Sequence, residues 1–318
     1  MINNINSLLS KAKAELHVHL EGTLEAEMML SLAQKNNVKL KYKNLTELKK
    51  AYNFNNLQEF LDLYYQGMSV LINESDYYEL TYAYLKKAKQ DNVSYAEIFV
   101  DPQAHVSRGI SLETMFRGIS NAIKDAQLKL GINATIILCF LRHLSESDAL
   151  HLFDKLMDYR NYFIGIGLDS SELGHPPKKF KQLFNLARDE KLHLVAHAGE
   201  EGPPEYVWQA LDILGVERID HGNAILYDQT LIERVANEQI PLTMCPLSNK
   251  ALKVETNLRN HPAKTLLNKG VKVTINSDDP AYFSGYINQN YEQLISAVKL
   301  SQNEIERLID NSLSARFI

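Results

Sequence analysis

Short apolar runs alternate with longer amphipathic stretches through most of the chain's 318 residues. Runs at 14–20, 94–100, 134–140, 163–168, 192–196, 218–221, 240–244 and 271–275 have the length and apolar content of buried strands, as in ATIILCF and VKVTI. The segments 112–130, 145–159, 178–191, 205–214, 229–238 and 262–269 instead repeat apolar residues at three- and four-residue intervals, the mark of a helix with one buried face. Strands and helices in turn predict βα units and a parallel sheet. Eight such units fit an α/β fold of the (β/α)8 TIM-barrel type better than an open sheet, although spacing alone leaves the open sheet in play.

The first connection, 24–93, is far longer than the others. It contains a helical spacing over 24–36, a polar loop-like stretch over 39–56, and two amphipathic helices over 57–72 and 76–89. An inserted helical flap after the first strand is the expectation. From Tyr291 onward the chain is helical again and is expected to pack outside the barrel. No repeat, low-complexity tract or linker divides it, so residues 1–318 are read as a single domain.

Composition narrows the partners. Hydrophobic residues at 45% and charged residues at 23% suit a globular protein with a sizeable core. A net charge of −5 provides no basic footprint for nucleic acid and no pull toward an anionic membrane. No apolar run approaches the ~20 residues of a membrane span, and Met1–Ser10 is too polar for a signal peptide. Cys139 and Cys245 both lie in apolar runs, which argues against a disulfide framework and for a reducing, cytoplasmic setting. A homo-oligomer stays open.

Chemistry-bearing residues gather at one end of the strands. His17 and His19 close the first, Asp169 to Glu172 follow the fourth, and His197 to Glu200 close the fifth. Asp220 and His221 close the sixth, and Asp278 and Asp279 follow the eighth. Each alone reads as a satisfied core histidine or a turn carboxylate. Together they fall on the carboxyl-end rim, where βα barrels keep their active sites. His17 and His19 sit one pleat apart and share a face; with His197 and Asp278 they make a donor set that leaves a divalent zinc ion an open position for water. Iron, manganese or cobalt would suit the same set. His221 stands by to orient or deprotonate the water, and Asp278 accepts its hydrogen bond as well as ligating. Glu200, with its pKa raised by burial, is the proton donor.

The stretches HVHLEGT (17–23), GLDSSE (167–172), HAGE (197–200), RIDHG (218–222), PLTMCPLSN (241–249) and SDDP (277–280) resemble the adenosine/adenine deaminase family of amidohydrolase-type barrels. The resemblance spans nearly the whole chain. It implies hydrolytic removal of the amino group of a 6-aminopurine, with one zinc per chain and a role in purine salvage. His17, His19, His197 and Asp278 match the metal ligands, Glu200 the proton donor to N1, His221 the histidine beside the water, and Asp279 the hydrogen-bond partner of N7. An activated water adds to C6 as Glu200 protonates N1, and ammonia leaves. The cytidine-deaminase type of zinc site is excluded, because it needs an H-x-E…P-C-x-x-C arrangement and Cys245 has no second cysteine near it.

Ser170-Ser171-Glu172, EEGPPEYVWQALD (200–212) and SDDPAYFSGY (277–286) look like the adenine deaminase branch. A free base carries a ring N–H where a nucleoside carries ribose, and Glu172 is expected to accept that hydrogen while filling the sugar's space. Adenosine and N6-substituted adenines are the alternative substrates, with Phe60 either an apolar lid or a core residue. An inactive binding relative would lack a ligand or the acid, and all five positions are filled. A two-metal site would need a bridging lysine or glutamate, and none closes an interior strand run except Glu97, which lies mid-strand.

Overall fold

The structure, a computed structural model, describes residues 7–317; residues 1–6, most of the polar opening stretch read above as no signal peptide, and residue 318 lie outside them. Eight strands are found among the described residues: β1 (Lys13–His19), β2 (Val93–Val100), β3 (Asn133–Leu141), β4 (Gly165–Asp169), β5 (His193–Ala198), β6 (Arg218–His221), β7 (Leu242–Met244) and β8 (Val273–Ile275). They pair in chain order, all parallel. A bridge between Val18 and Asp278 returns the last strand to the first, so the (β/α)8 barrel closes. Strands buried on both faces need apolar residues at nearly every position. That is why they read as continuous runs, and why their ends shift by a residue or two from expectation.

The flap consists of helices Ala26–Lys35, Leu45–Lys50, Leu57–Met68 and Glu74–Gln90. The second corrects the loop expected over 39–56. Its six residues are mostly polar, so no apolar period shows, yet the Asn44 side chain caps it by accepting from Glu47 N at 3.0 Å. Two other short helices, Pro102–Val106 and Pro246–Ala251, follow β2 and β7; each opens on proline, which loses nothing at a helix's first turn. Among the described residues no helix is long and apolar enough to cross a membrane.

The tail is helical, as expected. It forms two helices, Ile287–Val298 and Gln302–Ser314, and the residues beyond then turn under the barrel. Phe317 stacks on His193 at 4.1 Å between ring centroids, and its N–H donates to Glu97 Oε1 at 2.7 Å. Arg218 Nη1 meets Glu97 Oε2 at 2.6 Å with both side chains fully buried. The floor is thus stapled by an ion pair under an aromatic lid. Glu97→Leu removes the 2.6 Å partner of the buried Arg218 and leaves Asp220 Oδ1, at 3.9 Å, as its remaining ion-pair partner, and urea denaturation is expected to show a loss of about 3–5 kcal/mol. Arg218→Met added to Glu97→Leu is expected to restore most of it.

Candidate active site

The opposite rim collects the polar residues, each raised there by the end of a strand. His17 and His19 close β1 and both pack on Phe99 of β2, at 5.1 and 5.2 Å between ring centroids, so they point the same way. His197 Nε2 lies 3.2 Å from His19 Nε2. Asp278 Oδ1 lies 3.2 Å from His17 Nε2 and 3.4 Å from His19 Nε2. His221 Nε2 is 3.7 Å from Asp278 Oδ2 and 3.6 Å from Glu200 Oε2. All of these residues are buried. His221 and Asp278 hold φ of 65° and 63°, strain of a kind that non-glycine residues carry at functional sites.

The donor chemistry fits a metal ion. His17 Nδ1 sits 3.1 Å from the carbonyl of Thr243, which can only accept, so the proton is on Nδ1 and the Nε2 lone pair is free. That Nε2 is buried without a hydrogen-bond partner. Thr243 Oγ1 lies 3.0 Å from His17 Nδ1 and donates to Asp220 Oδ1 at 2.7 Å, while Asp220 Oδ2 stands 3.6 Å from His197 Nδ1. Asp169 Oδ2 stands 3.6 Å from His19 Nδ1. Carboxylates behind imidazoles are the usual support of metal-binding histidines. Three overlapping groups of donors result: His17, His197, His221 and Asp278 lie within 4.8 Å of one another, and within the same limit His19 joins Asp278 and Asp279 and, separately, Asp101 and Asp169.

Burial sets the charges around this cluster. It drives the Glu200 carboxyl well above its usual range, helped by Asp278 and Glu172 nearby. Asp279 is raised in the same way by burial and by neighbouring Asp278. Asp278 runs against its own burial, because the His17 ring holds it well below the ordinary value. Burial pulls His19 down to about 4 and His221 to about 3. In a dry pocket, Glu200 and Asp279 are thus pushed toward the neutral form beside Asp278, which is held toward the ionised one. Gly22 makes room for this: a Cβ there would overlap the Asp279 carboxyl.

The cavity above the cluster is lined by His19, His197, Glu200, His221, Asp278 and Asp279, and on its far wall by Asp101, Asp169 and Ser170. Helix Leu57–Met68 roofs it with Leu57, Phe60, Leu61, Tyr64 and Tyr65. Phe60 does both things expected of it, lining the cavity and packing on Tyr282 and Phe283 at 5.5 and 4.7 Å.

Glu172 is a correction. It does not line the cavity, because its carboxylate is consumed by the loop after β5. Its oxygens accept from the backbone N–H groups of Gly199, Glu200, Glu201 and Gly202 at 2.7, 3.0, 2.8 and 2.8 Å. A side chain with four N–H donors on it has no acceptor left for a substrate. Its work is to hold Glu200 in place. Two rim residues carry no role in the sequence reading: Asp101, directly after β2, which is not singled out there, and Asp169, at the end of β4, which is placed on the rim. The same strand-end rule that found the histidines points to both.

Of the other histidines, His105 is buried against Glu21 at 2.7 Å and Tyr77 at 2.8 Å, and His193 faces the floor. His151 is exposed, and His143 contacts Ser170 at 2.8 Å. His175, in the loop after β4, does not line the cavity, and its carbonyl accepts from Arg142. Cys139 and Cys245 are free and buried. Glu97, spent on Arg218, lies at the far end from any metal.

A closed βα barrel carrying imidazoles, one ionised carboxylate and a protonated glutamate on its carboxyl rim has the equipment of a metal-dependent hydrolase. The chain belongs to the adenosine deaminase family, whose model matches residues 12–318. It is 51% identical to an adenine deaminase of Acinetobacter baylyi over 317 residues, covering 100% of this chain and 96% of that one. The crystal structure of adenine deaminase from Arthrobacter aurescens superposes with a TM-score of 0.95 at 46% identity, covering 96% of this chain and 94% of the other. An amidohydrolase from Burkholderia ambifaria, solved with bound zinc, has a TM-score of 0.90 at 25% identity, covering 99% of this chain and 88% of its own.

If Glu172 anchors the loop, Glu172→Gln, which turns an NH2 group toward backbone donors, is expected to cost about 1–3 kcal/mol of stability. It should lower turnover while leaving the ratio of kcat/KM between free base and nucleoside unchanged. Denaturation and paired kinetics check both, and a shifted ratio would return Glu172 to the substrate.

Proposed function

We propose that this chain is an adenine deaminase, converting adenine and water to hypoxanthine and ammonia, with one zinc per chain held by His17, His19, His197 and Asp278. The whole chain works as one barrel domain, and the reaction suits purine salvage. Its free, buried cysteines fit a reducing cytoplasm. The observation that carries the reading is Glu200, a buried glutamate kept protonated 3.6 Å from His221 at the edge of the cluster. An aromatic ring cannot accept a nucleophile at C6 unless a neighbouring nitrogen takes a proton, and Glu200 is the acid placed to supply it.

When bound, zinc would supply a water whose pKa is lowered to about 7. The residues of this chain do the rest. Glu200 gives its proton to N1 as C6 becomes tetrahedral. Asp279, kept protonated, donates to N7 and fixes the ring in the plane. His221 faces the incoming oxygen. The roof of Leu57, Phe60 and Leu61 excludes bulk water, so these interactions act at low dielectric.

Asp101 and Asp169 replace Glu172 as the partners of the far ring edge. They hydrogen-bond to each other, each leaves its Oδ1 buried without a partner, and both line the cavity. Two carboxyl oxygens in hydrogen-bond contact share a proton, which is spent between them, so the two free Oδ1 atoms are left as acceptors. An acceptor there complements N9–H of a free base. Ribose at N9 would remove the hydrogen and add bulk.

Ammonia release from adenine, adenosine and an N6-alkylated adenine, with and without chelator, tests the proposal. Adenine is expected to be the substrate, chelation to abolish turnover, and Glu200→Gln to lower kcat by about 10²–10⁴-fold with metal content unchanged. Equal or better turnover of adenosine would reject it. Asp101→Asn, which replaces one carboxyl oxygen of the pair with an NH2 donor, is expected to lower kcat/KM for adenine by about 10–100-fold. Metal content by plasma emission should stay constant in that variant, and a loss of bound metal would assign Asp101 to a cation instead.

A further inference from the structure

A chain of hydrogen bonds behind His221 has its direction set by a backbone amide. Ala263 N–H, which can only donate, lies 3.3 Å from His261 Nδ1. Nδ1 therefore keeps its lone pair and the His261 proton is on Nε2. That Nε2 faces Asn249 Oδ1 at 3.1 Å, and Asn223 Nδ2 faces the same oxygen at 2.7 Å. With two donors on one side, the Asn249 amide presents its oxygen to them and turns Nδ2 toward His221 Nδ1, at 3.5 Å. An N–H pointed at His221 Nδ1 requires a lone pair there. The His221 proton is left on Nε2, aimed at Asp278 and Glu200. Asn223, Asn249, His261 and His221 are all buried, so water does not scramble the order. His261 is neutral as well, pulled down to about 3 by burial.

We infer that Asn249 and His261 are positioning residues that hold His221 as its Nε2–H tautomer, which makes His221 a hydrogen-bond donor to the oxygen entering at C6. It is then neither a ground-state base nor a metal ligand. The inference rests on the deaminase reading and deepens it. It also decides between the two donor groups that contain Asp278: with Nε2 protonated, His221 drops out and His19 takes its place beside His17, His197 and Asp278. Donation from a neutral imidazole steadies a negative oxygen without adding a positive ring next to the metal.

The test uses the full chain, zinc-loaded, with 15N-labelled histidine rings. Two-bond 1H–15N spectra, with the His221 signal assigned by its loss in His221→Gln, are expected to show Nε2 protonated and Nδ1 bearing a lone pair. Asn249→Asp offers only acceptors and should move the proton to Nδ1; kcat on adenine should then fall by about 100-fold with KM nearly unchanged. Should that variant fail to fold, His261→Gln and His261→Leu make the same comparison. Glutamine still donates to Asn249 and should keep both the tautomer and kcat, whereas leucine should lose both. A wild-type His221 protonated on Nδ1 would overturn the inference, as would a folded Asn249→Asp or His261→Leu protein with wild-type spectrum and kcat. A wild type that releases no ammonia from adenine would sink the deaminase reading instead, while the spectra still judge the tautomer.

Discussion

Asp278 is bound through both of its backbone groups to the two histidines its side chain faces. Its N–H donates to the His17 carbonyl at 3.0 Å, and its carbonyl accepts from His19 N–H at 2.9 Å. The residues before it do likewise: Asn276 Oδ1 accepts from Leu16 N–H at 2.8 Å, and the Ser277 hydroxyl donates to Glu15. Closing the barrel and assembling the donor cluster are therefore one event. A sheet left open between β8 and β1 would separate Asp278 from His17 and His19. The left-handed backbone at Asp278 costs on the order of 1–3 kcal/mol, offset by these bonds.

What the closed barrel then encloses is governed by desolvation. Carboxyl groups taken out of water hold their protons unless a cation or several N–H groups meet them. Glu172 and Glu200 show the two outcomes side by side. Glu172 receives four backbone N–H groups and becomes an anchor. Glu200 Oε1 receives none, and burial drives that carboxyl well above its usual range. One residue type, equally buried, acquires opposite roles from the direction in which nearby peptide groups point.

The barrel itself was legible, because strands buried on both faces and helices buried on one leave different periods in the chain. The flap was legible as an over-long first connection, though Leu45–Lys50 was not, since its stability comes from a cap and from packing. The tail's last turn was hidden as well. Nothing in the pattern of Arg316 and Phe317 shows that the chain bends beneath the barrel to meet Glu97.

The sequence by itself determined which chemistry was present. Histidines, an aspartate and a glutamate at successive strand ends can converge only on one rim, since every strand of a parallel barrel runs the same way. Tertiary structure alone decided which groups are free to act. It turned Glu172 inward onto a loop, brought Asp101 and Asp169 together across β2 and β4, and ran a bond from a backbone amide through His261 and Asn249 to His221. Spacing fixes the end of a strand where a side chain emerges. Hydrogen-bond direction depends on neighbours far away in the chain, and those exist only once the barrel has closed.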